Sequence, residues 1–134
     1  METIRKAALG IFKDKKILMV RNADQDVVFY TLGGRLENGE GYIECLQREI
    51  KEETGCDLDV ASIIYLSEFE APAHGRENAR IHIKLYTGSL IGEPKPMNEV
   101  AEFAWFDSSV DPRHLTQSTH EKIFPWLKEN KYIN

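Results

Sequence analysis

Apolar positions along the chain fall into two periods, and the boundaries between them divide it into strands and helices. "KAALGIF" and "KILMVRN" flank the polar "KDK" and predict a hairpin; "VVFYTL", rich in β-branched and aromatic residues, predicts a third strand. In "ARIHIKLYTGSL", Ile81, Ile83 and Leu85 alternate with His82, Lys84 and Tyr86, so one face is buried and the other wetter. "ASIIYLSEF" and "EFAWFD" read as further strands, with "IGEPKPMN" as the loop between the last two. After the third strand Gly33 and Gly34, with the turn residues Asn38 and Gly39, predict a loop, and the period then changes. Ile43, Leu46 and Ile50 share one sector of a helix predicted to start near Gly41 or Tyr42 and to end near Thr54, with Gly55 as its left-handed cap. Ser118 with Glu121 three residues on has the pattern of a capping box for a second helix, which Pro125 should kink or split. The order of several strands, helix, strands, helix predicts an α+β fold, an α/β/α sandwich around a mixed β-sheet.

Length and charge narrow the function classes. A chain of 134 residues suits one domain, taken here as 1–134, with one core. A net charge of −5 argues against broad nucleic-acid binding, which needs clustered Lys and Arg. No stretch reaches the length of a membrane span, and charge interrupts any signal-like core near the start, so the expected setting is cytoplasmic. Cys45 and Cys56 show neither metal-binding spacing nor a disulfide framework, and are expected to be reduced. Self-association is left open, a homodimer included.

The unusual feature is "GRLENGEGYIECLQREIKEETGC", residues 34 to 56, with five Glu between positions 40 and 53. At roughly 100° per residue, Glu49, Glu52 and Glu53 fall within an arc of about 100° bordering the apolar sector, while Glu44, Gln47 and Lys51 face solvent. Like charges at these spacings cost a few tenths of a kcal/mol per pair, so a cationic partner is expected. Carboxylates without Cys or His nearby suit Mg²⁺ or Mn²⁺ rather than zinc, and Mg²⁺ shares its coordination sphere with substrate phosphates. Arg48 is placed to fix Glu49 by a bidentate pair. The alternative is an acidic face that is simply solvated.

The wider spacing resembles the Nudix box, G-x5-E-x7-R-E-U-x-E-E-x-G-U with U a bulky aliphatic. Gly34, Glu40, Arg48, Glu49, Glu52, Glu53 and Gly55 occupy all seven fixed positions; Cys56 replaces the final aliphatic. Upstream, "FYTLGG" is similar to the family's Trp-x-x-Pro-Gly-Gly, with Phe29 for Trp and Leu32 for Pro. The resemblance implies the Nudix fold and a hydrolase acting on a nucleoside diphosphate linked to another group. It further implies Glu49, Glu52 and Glu53 as metal ligands, one of them a base; Arg48 orienting Glu49; a Gly33 carbonyl offered to metal; and Glu40 as loop or metal-shell support. Glu99 or Glu102, in "NEVAEFAWFD", would add a metal-binding or water-positioning carboxylate. For the substrate, Phe29, Tyr30, Phe69, Tyr86 and Trp105 are candidates for base stacking, with Gly34 and Glu102 as further substrate-binding candidates; His74 and Arg76 in "PAHGREN" are candidates for phosphate. The compact chain resembles MutT-type enzymes that hydrolyse (deoxy)nucleoside triphosphates, oxidised dGTP included, to monophosphate and pyrophosphate. ADP-ribose or another nucleotide sugar, dinucleoside polyphosphates, and a non-catalytic nucleotide sensor are the alternatives.

Overall fold

The computed structural model describes residues 2–24, 27–73 and 75–134. Among them seven strands, β1 (Glu2–Gly10), β2 (Phe12–Lys13), β3 (Lys16–Asn22), β4 (Tyr30–Arg35), β5 (Asp57–Pro72), β6 (Ala79–Ile91) and β7 (Val100–Phe106), are joined by two α-helices, α1 (Tyr42–Thr54) and α2 (Phe124–Glu129). The strand order is β2-β3-β4-β1-β6-β5, and β7 lies along β3. β1 runs parallel to β6 and antiparallel to β4, which makes the sheet mixed. Among the described residues no helix is long and apolar enough to cross a membrane.

The two-residue period of the central strands explains the layers. On β3, Leu18 and Val20 join Leu46 and Ile50 of α1, whereas Ile17 and Met19 join Ile123, Phe124 and Leu127 at the other helix. On β1, Ala7 and Leu9 face the α1 side and Ala8 the other. A strand buried on both faces reads as a continuous apolar run, as "AALG" and "ILMV" do. The fold is thus the expected α+β sandwich of helix, mixed sheet and helix.

Three local expectations change. The tight hairpin joins β2 to β3 through Asp14 and Lys15, both at positive φ, while β1 departs to the middle of the sheet. Gly33 and Gly34, expected in a loop, lie inside β4 opposite Ala8 and Ala7. Gly33 has φ 123, and a Cβ there would run into the Ala7 carbonyl, so only glycine fits this crossing. At the second helix Ser118 is itself helical and makes no cap; Thr116 Oγ1 instead accepts from the Thr119 N–H at 3.3 Å. Glu121 is held by Gln117 at 3.1 Å rather than closing a box. Pro125 does interrupt the helix: Thr119–Ile123 forms a π turn before α2, because proline offers no N–H to continue the narrower ladder.

α1 forms where the pattern places it. Glu44 Oε1 accepts the Gly41 N–H at 3.1 Å, and Gly55 closes the end in the left-handed region. Cys45, Leu46, Ile50 and Thr54 are its buried residues; Ile43, expected among them, is only half-buried. The loop before β7 completes the C-terminal cap, since Lys95 N–H reaches the Thr54 carbonyl, Met97 N–H the Glu53 carbonyl, and the Asn98 amide the Glu52 carbonyl. This contact brings Met97, Asn98 and Glu99 beside the acidic side of α1. Cys45 and Cys56 are buried free thiols.

Candidate active site

The carboxylates of α1 meet β4 and β1 in the lining of a cavity of about 770 Å³. Glu49, Glu52 and Glu53 line it with Gly33 and Gly34; Met97, Asn98 and Glu99 line it from the loop before β7. The contact depends on glycine at position 34, where an added Cβ would lie 2.5 to 2.8 Å from the Glu49 carboxylate.

Each acid has a different environment. Glu53 Oε1 accepts the Gly33 N–H at 2.9 Å, so the interaction the structure gives Gly33 with this acid is through its amide rather than its carbonyl. Burial raises the Glu53 pKa to about 8; the Gly33 hydrogen bond and Lys6 oppose the rise, while Glu49 and Glu52 add to it. Burial also raises the Glu49 pKa, against the lowering pull of Arg48. Glu52 is the outermost, with 55% of its side chain exposed and only a 3.8 Å approach from Arg48 Nη1.

Arg48 is organised differently from the sequence expectation. Its bidentate partner is Glu40, through Nε to Oε2 at 2.8 Å and Nη2 to Oε1 at 2.9 Å; Glu49 receives a single bond from Nη1 at 2.6 Å. The reason is geometric: adjacent residues on a helix diverge by roughly 100°, which leaves the fork free to close on the preceding loop. Nη2 also donates to the Arg35 carbonyl at 3.1 Å. The Arg48 fork and the Glu37 N–H hold the Glu40 carboxyl down at a pKa of about 2. Glu40 supports the loop and Arg48, and is not among the residues lining the cavity.

The remaining candidates divide. Glu99 and Arg76 line the cavity; Arg76 pairs with Glu2, which also receives Arg35 at 3.4 Å. Glu102 does not line it, and is held at 2.9 Å by Arg21 across the β3–β7 pair. Phe29 is corrected outright: 6% exposed, it packs edge-on against Phe106 at 4.9 Å in the core and presents no face for stacking. Its neighbour Tyr30 lines the cavity instead, because successive strand residues point to opposite faces. His74 lies outside the described residues. Sequence reasoning missed Lys6, Arg35, Thr116, Ser118 and Thr119 as site residues, all of which line the cavity. Only Lys6 left a signal, as the second of two charges, after Arg5, that precede an apolar run.

Among the described residues no three Cys, His, Asp or Glu side chains form a ready-made metal cage. Glu53 and Glu49 are engaged by Gly33 and Arg48, and Glu52 turns outward. The donor set nevertheless fits a hard divalent cation: three carboxylates line the cavity from α1, and no Cys or His among the described residues does. Mg²⁺ in particular takes one or two carboxylates, waters and substrate phosphates rather than a complete protein cage. Nudix hydrolases generally use divalent metals.

Comparison with known proteins agrees with this architecture. The chain is 33% identical over 115 residues to an ADP-ribose pyrophosphatase of Methanocaldococcus jannaschii, covering 84% of this chain and 66% of the relative. It is 33% identical over 106 residues to the NAD-capped RNA hydrolase NudC of Vibrio atlanticus, covering 78% of this chain and 37% of that protein. The chain therefore spans less than two thirds of the length of both. Its backbone superposes on a MutT NUDIX hydrolase from Burkholderia pseudomallei with a TM-score of 0.72 at 20% identity, covering 89% of this chain and 94% of that one. The NUDIX domain model matches residues 3–127, which take in nearly the whole sheet, all of α1 and the start of α2, and the chain belongs to the NUDIX domain family.

Proposed function

We propose that this protein is a metal-dependent hydrolase of phosphoric anhydride bonds in nucleoside diphosphate-linked compounds. The leading substrates are (deoxy)nucleoside triphosphates, oxidised dGTP included, cleaved to monophosphate and pyrophosphate. The observation that carries the reading is the mixed lining of a single cavity. Glu49, Glu52 and Glu53 share it with Ile81, Ile83, Ile123, Thr116, Ser118 and Thr119. The carboxylates suit a phosphate chain with its metal; the apolar and hydroxyl-bearing residues suit a base.

Glu49, Glu52 and Glu53 would hold Mg²⁺ or Mn²⁺, with Glu99 as a further carboxylate and the Gly33 backbone beside them. The ion supplies charge neutralisation and acidifies water. The protein's own contribution is placement. Arg48, locked by Glu40, holds Glu49. Gly34 leaves room for that carboxylate, and Glu53 sits where burial gives it strong affinity for a proton. Arg76 lines the cavity too and could turn from Glu2 to phosphate when substrate enters. On this reading residues 1–134 are one cytoplasmic domain, monomer or homodimer, whose partner is a small nucleotide rather than nucleic acid or membrane. A second reading, ADP-ribose hydrolysis, is favoured by the name of the Methanocaldococcus relative.

The test is a Mg²⁺-supplemented screen of nucleoside triphosphates, nucleotide sugars and dinucleoside polyphosphates, with products identified by mass. Turnover should require metal and collapse in Glu52→Gln and Glu53→Gln while both variants remain folded. Release of monophosphate from oxidised dGTP supports the leading class; cleavage confined to ADP-ribose transfers the assignment to the second reading. If metal leaves every substrate intact but nucleotide raises Tm, the domain is a sensor and the enzyme reading is wrong.

A further inference from the structure

We propose that Lys6 binds the phosphate chain of the substrate, as a positively charged wall of the cavity beside the carboxylates. The proposal rests on the anhydride-hydrolase reading, and names a residue outside the seven fixed positions of the box.

Lys6 lies on β1, between β4 and β6 in the interior of the sheet. Its register partners are Arg35 and Ile83, so it has no free strand edge beside it. Ile4 and Ala8, two residues to either side, line the same cavity with it. An ammonium among such apolar neighbours is costly unless an acceptor meets it. Desolvation lowers its pKa, and Glu53 and then Glu49 oppose that change.

What sets Lys6 apart is how the nearby cations are used. Arg48 is committed to Glu40 and Glu49, and both Arg35 and Arg76 pair with Glu2. For Lys6, the described residues provide neither a hydrogen bond nor an ion pair; its Nζ stands 5.5 Å from the centre of the Tyr30 ring. All three ammonium protons thus remain for an incoming acceptor. Phosphate oxygens match that need, because an ammonium is a compact point charge that does not demand one planar geometry. Diphosphate is the unit shared by nucleoside triphosphates and ADP-ribose, so the inference holds for either substrate class.

The rival role is that of a counter-ion holding Glu53. Calorimetric titration of the full chain with inorganic pyrophosphate in saturating Mg²⁺ separates the two when Mn²⁺ affinity is measured alongside by electron paramagnetic resonance. Lys6→Met and Lys6→Gln should weaken pyrophosphate binding by about ten-fold or more, and Lys6→Arg should largely restore it. Mn²⁺ affinity should stay at the wild-type value, and in turnover KM should change more than kcat. Unchanged pyrophosphate affinity in folded Lys6→Met or Lys6→Gln overturns the proposal. So does a loss confined to Mn²⁺ affinity. If neither variant folds, the wild-type Lys6 ¹⁵Nζ resonance decides: it must move as pyrophosphate is added, and a stationary signal rejects the contact. A wild-type protein that binds pyrophosphate through Lys6 yet hydrolyses nothing in the screen would defeat the hydrolase reading and leave this contact standing.

Discussion

Arg48 and Glu40 form a two-point ion pair, at 2.8 and 2.9 Å, that fixes the plane of the guanidinium before its third contact reaches Glu49 at 2.6 Å. Glu40 belongs to the loop leading into α1 and Glu49 to the helix itself. The arginine therefore fastens the loop to the acidic side of the helix. Two adjacent box residues, Arg48 and Glu49, depend on a third that is eight residues upstream.

Replacing the fork tests that dependence. Arg48→Lys keeps the charge but cannot reach both Glu40 oxygens and Glu49 in the same plane. Activity should fall about ten- to a hundred-fold, the range for losing a residue that orients a ligand. Glu40→Gln should lower activity in the same direction by loosening Arg48. Steady-state kinetics with circular dichroism checks both; an Arg48→Lys enzyme with wild-type kcat would show that Glu49 needs no such restraint.

Glu53 makes the metal-free protein sensitive to pH in the neutral range. Its folded pKa of about 8 lies above the ordinary carboxylate value of 4.5, so the folded state binds its proton more tightly than the unfolded chain. The resulting stabilisation is fully present below the unfolded pKa and is lost as pH rises through the folded one. In EDTA, thermal stability should decline between about pH 5 and pH 8, with a slope of at most about 1.4 kcal/mol per pH unit from this group. Glu53→Gln should flatten that decline. A wild-type Tm profile parallel to the variant's across this window would contradict the assignment.

Gly34→Ala should damage the site more than the fold. The new methyl would meet the Glu49 carboxyl carbon at 2.5 Å, and that carboxylate, tethered to Arg48, must move. Overpacking of this kind costs roughly 1–3 kcal/mol. We expect a folded protein with a lower Tm and a fall in turnover of about ten-fold or more, since misplacement by an ångström suffices for such losses. A crystal structure with Glu49 undisplaced would refute the mechanism of the loss.

The start of the second helix provides a stability comparison. Thr116 Oγ1 meets the Thr119 N–H and the hydroxyls of Ser118 and Thr119, all in a buried cluster. Thr116→Val should cost about 1 kcal/mol, as expected for a lost cap, and more than Ser118→Ala. Urea unfolding of the two variants measures the difference directly; a larger loss at Ser118 would reverse the assignment.

The sequence by itself determined α1 closely. Its apolar spacing, the turn residues before it and Gly55 after it are local signals, and the helix occupies Tyr42–Thr54. The alternation in "ARIHIKLYTGSL" likewise became β6. The box spacing was sufficient for the family because it records residue types at fixed separations along one loop and one helix. These features share a cause: each is encoded within a few turns or a single strand.

The tertiary structure decided which neighbours those elements meet. β1 pairs with β4 and β6, strands distant in the chain, and only that placement brings Lys6 into the cavity and Gly33 beside Ala8. Phe29 and Tyr30 are alike in sequence terms, yet strand orientation buries one and exposes the other to the cavity. Arg48 could choose between Glu49, next to it, and Glu40, across a loop; the fold favoured the distant acid because a planar fork needs an acceptor approaching in its plane. Sequence periodicity specifies apolar faces and local turns. Pairing across the sheet, and the long-range packing that follows, assigns those faces to a core or to a site.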